Sequence, residues 1–127
     1  MTVRLEKRKI FLLYQHYLLD EINEAGNEKK LIDWFNNEFL EKEEFLKQKV
    51  SVKLKKNWDF SRLPPLEKAI LIYSAYELFF GQKPEHSSLV INNVVNFNKA
   101  YLEKEKLGYI NKLLDLLAKE RKSSGEK

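Results

Sequence analysis

The chain has 127 residues, a formal net charge of +4 and no cysteine. That length fits one domain with its own core, and the lack of cysteine excludes disulfides and thiolate metal sites, which suits a reducing cytoplasm. The longest apolar runs, at 10–14 and 69–73, fall far short of the ~20 residues that span a bilayer. Gln15 and His16 break the first run before any cleavage pattern, so no signal peptide is expected.

Residues 5–19 predict the first helix, with Ile10, Leu13, Tyr14 and Tyr17 on one side and Phe11 and Leu18 nearby. Asn23 and Gly26 mark its end, and Asn27 is the expected cap of a second amphipathic stretch carrying Leu31, Trp34, Phe35, Phe39, Leu40 and Phe45. Residues 49–55 alternate polar and apolar, but a lone strand has no partner here, so helix is the expectation. Pro64 and Pro65 open the next helix, where a missing amide hydrogen costs nothing, and Gly81 is its expected C′ residue. Ser87 or Ser88 caps a following helix with Val90, Ile91, Val94, Val95 and Phe97, and a last one starts at 106–108. The expected fold is all-α: one domain over residues 1–121 and a polar, frayed tail from 122 to 127. The expected core contains Leu13, Trp34, Ala69, Tyr73, Tyr76, Val94 and Leu113.

Charge is placed unevenly. Arg4, Lys7, Arg8 and Lys9 stand against Glu6, residues 20–44 hold nine carboxylates against three lysines, and residues 47–62 are again basic. The pattern gives one acidic and two basic surface regions. A basic region attracts phosphates, although a solvated lysine-rich surface has the same composition.

The helix after Pro65 is apolar nearly all round, as a helix at the centre of a domain is. Ala69, Ile72, Tyr73, Tyr76, Phe79 and Phe80 form its expected core face. Opposite lie Glu67, Ser74 and Glu77 among Ile70, Leu71 and Leu78. Either other helices cover this mixed stripe or part of it docks a partner.

The stretch NWDFSRLPPLEKAILIYSAYEL at 57–78 resembles the NusB family of transcription antitermination factors. The match rests on Asn57-Trp58, Arg62-Leu63, Glu67-Lys68, Ala69-Ile70-Leu71 and Ala75-Tyr76-Glu77-Leu78. KRKIFLLYQHYL at 7–18, Ile91-Asn92 and Tyr109-Ile110-Asn111 are similar to further family segments. The resemblance implies two packed helical subdomains that bind boxA RNA together with NusE, a small-subunit ribosomal protein. The complex serves the transcription elongation complex on ribosomal RNA operons in the cytoplasm. It also implies RNA contacts from Arg4, Lys7, Arg8, Lys9 and Tyr109, a NusE-facing surface at Tyr14 and Glu67 with Leu71 as apolar filling, and no cofactor. The family includes monomers and homodimers. Ile72, Asn93 and Lys112 depart from the family pattern, and residues 20–57 are shorter than its norm. The alternative is a diverged protein-interaction or RNA-binding module of this fold without antitermination activity.

Enzyme motifs are missing from the sequence. His16 and His86 stand in no metal-ligand spacing, and no phosphate-cradling glycine loop or nucleophile elbow occurs. His16, among aromatic neighbours, is expected to be a surface or packing residue.

Overall fold

The computed structural model describes residues 3–56 and 58–124, apart from the side chain of Ser124. Among them are six α-helices: α1 (Lys7–Leu19), α2 (Lys29–Trp34), α3 (Glu43–Ser51), α4 (Pro65–Tyr76), α5 (Ser87–Tyr101) and α6 (Lys104–Ser124). No described residue lies in a strand, so the chain is all-α as expected. The seven side chains expected in the core are all buried.

The centre is α4. It packs against α1, α3, α5 and α6, and every side chain from Ala69 to Leu78 is buried. Other helices therefore cover the mixed stripe, and the outward-opening surface expected at Glu67 and Leu71 is corrected. Leu71 is 0% exposed and Glu67 is 4% exposed. The polar groups of the stripe are met locally. Ser74 Oγ donates to the Ile70 carbonyl (2.7 Å), Glu77 accepts from the Tyr73 hydroxyl (3.1 Å), and Glu67 Oε2 pairs with Lys106 Nζ (3.1 Å).

Two π turns alter the helical phase. One spans Phe35–Phe39 after α2, the other Glu77–Gly81 after α4. A π turn holds more residues than an α turn, so a projection at 100° per residue fails beyond it. That is why Phe80, expected in the core, is exposed, and Phe79 is only partly buried. Gly81 does not take the left-handed conformation of a C′ residue. It is small for another reason: a Cβ there would collide with the Glu77 carboxylate.

Several boundaries also shift. α1 runs from Lys7 to Leu19 and is closed by Asp20, which sits in the left-handed region (φ 59°) and donates its N–H to the His16 carbonyl; an aspartate tolerates that conformation. Asn27 does not cap α2; its side chain donates to the Asn23 carbonyl and to Gln15, and Glu28 precedes the helix. α3 stops at Ser51, leaving 52–56 as turns. Ser87 is the first residue of α5 and bonds back to the Pro84 carbonyl. α6 starts at Lys104 and runs to Ser124, so residues 122–124 are helical rather than tail, and Lys122 donates to Ser88 Oγ (2.9 Å). The rest of the expected tail lies outside the described residues, as does Asn57.

Direction follows from contacts. The start of α1 meets the C-terminal end of α4, where the Glu6 N–H donates to the Tyr73 hydroxyl (2.9 Å). The end of α1 meets the start of α4, where the Lys68 ammonium lies 5.9 Å from the Tyr17 ring. These helices are antiparallel. α6 runs parallel to α4, from the Lys106–Glu67 pair to Arg121 over Phe79. Lys49 and Lys53 both pair with Glu120, tying α3 to α6.

Candidate nucleic-acid interface

The segment before α1 is strapped across the bundle. Asn93 Nδ2 donates to the Val3 carbonyl (3.0 Å), and Tyr73 holds the Glu6 amide. Arg4 lies between these two anchors and is exposed. Lys7 is exposed at the first turn of α1, with its ammonium 5.8 Å from the Tyr101 ring centroid. Neither makes an ion pair among the described residues. Cations at a helix N-terminus oppose the macrodipole, so helix stability does not account for Lys7.

The other two cations of the cluster are engaged. Arg8 is exposed and pairs with Glu28; such a surface pair holds with only ~0–1 kcal/mol and exchanges readily. Lys9 has a side chain only 15% exposed, pairs with Glu6 (3.0 Å) and places its ammonium 4.6 Å from the Trp34 ring. Its stem and charge belong to the packing around Trp34.

Tyr109 sits at the opposite end of α4 from this cluster. Its ring is packed by Trp58 (centroids 4.7 Å apart) and faces the Lys55 ammonium at 5.6 Å. Burial raises the pKa of its hydroxyl. Beside it lies a cleft of about 330 Å³ lined by Trp58, Asp59, Arg62, Leu63, Pro64 and Lys106. The α5–α6 corner lies next to Lys7. Phe11, Phe97 and Tyr101 form an aromatic cluster under Lys7, with Phe97 and Tyr101 stacked at 4.4 Å, and the chain turns from Tyr101 into α6 towards Lys106 and Tyr109. Sequence reasoning did not select Trp58 or Tyr101 as site residues. Periodicity cannot separate an exposed ring from a core ring.

On the partner side, Tyr14 is half-buried against the core and keeps part of its surface open. Glu67 and Leu71 do not join it on an open face, because α4 is enclosed. Further along α1, Glu43 accepts from His16 Nε2 (3.0 Å) and the Tyr17 hydroxyl (2.9 Å), with Lys47 at 3.8 Å. Burial pushes the Glu43 carboxyl up, but the bonds from His16 and Tyr17 and the Lys47 charge outweigh it and hold the pKa below the ordinary value. This cluster clasps α1 to α3, so His16 is a packing residue. No group of three or more metal-ligating side chains occurs among the described residues, and none of their helices is long and apolar enough to cross a membrane.

Comparison with known proteins points one way. A family model described as the NusB family matches residues 1–119. A transcription antitermination protein NusB from Sulfurimonas denitrificans is 39% identical over 70 residues, 55% of this chain and 52% of that protein. Proteins of the same name from Helicobacter pylori and Helicobacter acinonychis are 41% identical over 64 residues, 50% of this chain and 45% of theirs. The matched stretch thus spans about half the length of these curated relatives. No solved structure gives a significant match. With a family match across nearly the whole chain and an all-α fold centred on the helix that carries the family's motifs, the chain belongs to the NusB family.

Proposed function

We propose that this protein is a transcription antitermination factor. It binds boxA-type single-stranded RNA together with a NusE-like ribosomal protein and supports transcription of ribosomal RNA operons by the elongation complex in the cytoplasm. One observation carries the RNA part: Arg4 and Lys7 are exposed, without an ion pair among the described residues, and held in place by the strap and by Tyr101. Free cations on a fixed backbone suit phosphate contacts. Arg8 joins them by exchanging Glu28 for a phosphate, whereas Lys9 contributes least because it is neutralised and packed. Tyr109 is proposed as a second RNA contact, at the other end of α4. Tyr14 supplies the open aromatic contact for the protein partner, a residue type suited to an interface centre. Glu67 and Leu71 are enclosed and support that surface only from within, Glu67 through its pair with Lys106.

The test is RNA affinity as a function of salt for the native chain and for Arg4→Ala/Lys7→Ala. The native chain should bind boxA-type RNA with a steep salt dependence, and the double variant should weaken binding and lower the slope by about one unit per lost contact. Pulldown from lysate with and without ribonuclease shows whether the ribosomal protein binds directly or through RNA. RNA binding that ignores salt, or an unchanged double variant, refutes the assignment of the phosphate contacts.

A further inference from the structure

We infer that Trp58, rather than Tyr109, is the ring on which an RNA base stacks, and that the cleft at the start of α4 is a nucleotide subsite. This rests on the RNA-binding reading above and adds to it a residue and a place. Tyr109 is poorly placed for stacking, because Trp58 and the Lys55 ammonium already pack against its ring. Trp58 is 46% exposed, on a lip of chain between α3 and the 3-10 turn Phe60–Arg62. Trp58 lines the 330 Å³ cleft, and the Tyr109 ring packs against its ring at 4.7 Å. A large exposed ring that is held in one orientation loses little entropy when a base lies on it.

The charges around the cleft suit a nucleotide better than a free anion. Arg62 and Lys106 line it and can reach a backbone phosphate. Lys106 is held at the rim by Glu67, so its position is set in advance. Asp59 lines the same cleft, and its carboxylate accepts the Ser61 N–H (3.1 Å), which lowers its pKa and keeps it charged. That negative charge works against a bare phosphate and leaves an acceptor for the amino groups of a base. Stacking together with one phosphate contact is how single strands are held without strict sequence readout.

The experiment uses the full chain and a short single-stranded RNA of boxA type, with a series of strands in which one nucleotide at a time is abasic. The native chain should lose affinity at one particular abasic position. Trp58→Ala should bind the intact RNA about tenfold more weakly, or worse, with an unchanged salt slope, since no charge is lost. In that variant the penalty at the sensitive position should vanish, and Trp58→Phe should restore both affinity and penalty in part. A merely structural role for Trp58 would not erase a penalty at a single nucleotide. The inference is overturned if Trp58→Ala binds like the native chain, if no abasic position is sensitive, or if the penalty persists in Trp58→Ala; the RNA-binding reading then still stands. Salt-insensitive or absent RNA binding by the native chain overturns both.

Discussion

Lys106→Ala should destabilise the protein more than Glu67→Ala, although both remove the same ion pair. The two partners differ in burial: the Glu67 side chain is 5% exposed and that of Lys106 is 40% exposed. Glu67 Oε1 is buried with no hydrogen-bond partner, so Lys106 is its carboxylate's one counter-charge among the described ion pairs. Removing Lys106 strands a buried carboxylate. Breaking a fully buried pair in this way costs about 3–5 kcal/mol, and the rim position of Lys106 lowers the expectation to roughly 2–3 kcal/mol. Removing Glu67 instead releases an ammonium that water can solvate, and it deletes an unsatisfied oxygen, so roughly 1 kcal/mol is expected. The double variant should match Glu67→Ala, giving a coupling of roughly 2–3 kcal/mol, the whole of the Lys106→Ala cost. Urea unfolding of the four proteins at neutral pH measures each value. A Lys106→Ala variant within about 0.5 kcal/mol of the native chain, or a double variant as unstable as Lys106→Ala, would refute the reasoning.

Two further outcomes are expected. Ala69→Trp should cost ~1–3 kcal/mol or more by overpacking a fully buried position on α4, read as a lowered thermal midpoint; an unchanged midpoint would show that the crossing has slack. The Glu77 carboxyl has its pKa raised, chiefly by burial, with the Lys9 charge and the Tyr73 hydroxyl opposing in part. A raised folded-state pKa gives stability that is present below the unfolded carboxyl pKa and lost as pH rises through the folded value. Glu77→Gln should therefore lose less stability than the native chain between acid and neutral pH, and parallel curves would contradict this.

Much of the fold was legible because α4 announces itself. Pro64 and Pro65 place its start, and its nearly unbroken apolar run places it at the centre. Less legible was the phase beyond Tyr76. The π turn over Glu77–Gly81 re-aims Phe79 and Phe80, and an extra residue in a turn leaves no periodic trace in the sequence. Glu67 and Leu71 were misplaced for a related reason. A one-helix projection ranks faces by polarity, but α6 brings Lys106 to the polar face and closes it. The basic start of α1 was readable as charge. That Lys9 is packed on Trp34 while Lys7 is free was not, because a lysine's environment depends on contacts from distant segments.

The two tryptophans stand in opposite surroundings. Trp34 is enclosed by Phe39, Tyr76 and the Lys9 ammonium in the core. Trp58 meets solvent at the edge of its cleft. Their fluorescence therefore divides by event. With Trp58 replaced by phenylalanine, the remaining emission reports assembly of the core around α4. With Trp34 replaced instead, the remaining emission is red-shifted and open to collisional quenchers such as iodide, and a base covering the ring would shield it. One chain thus carries separate optical reporters for folding and for occupancy of its surface.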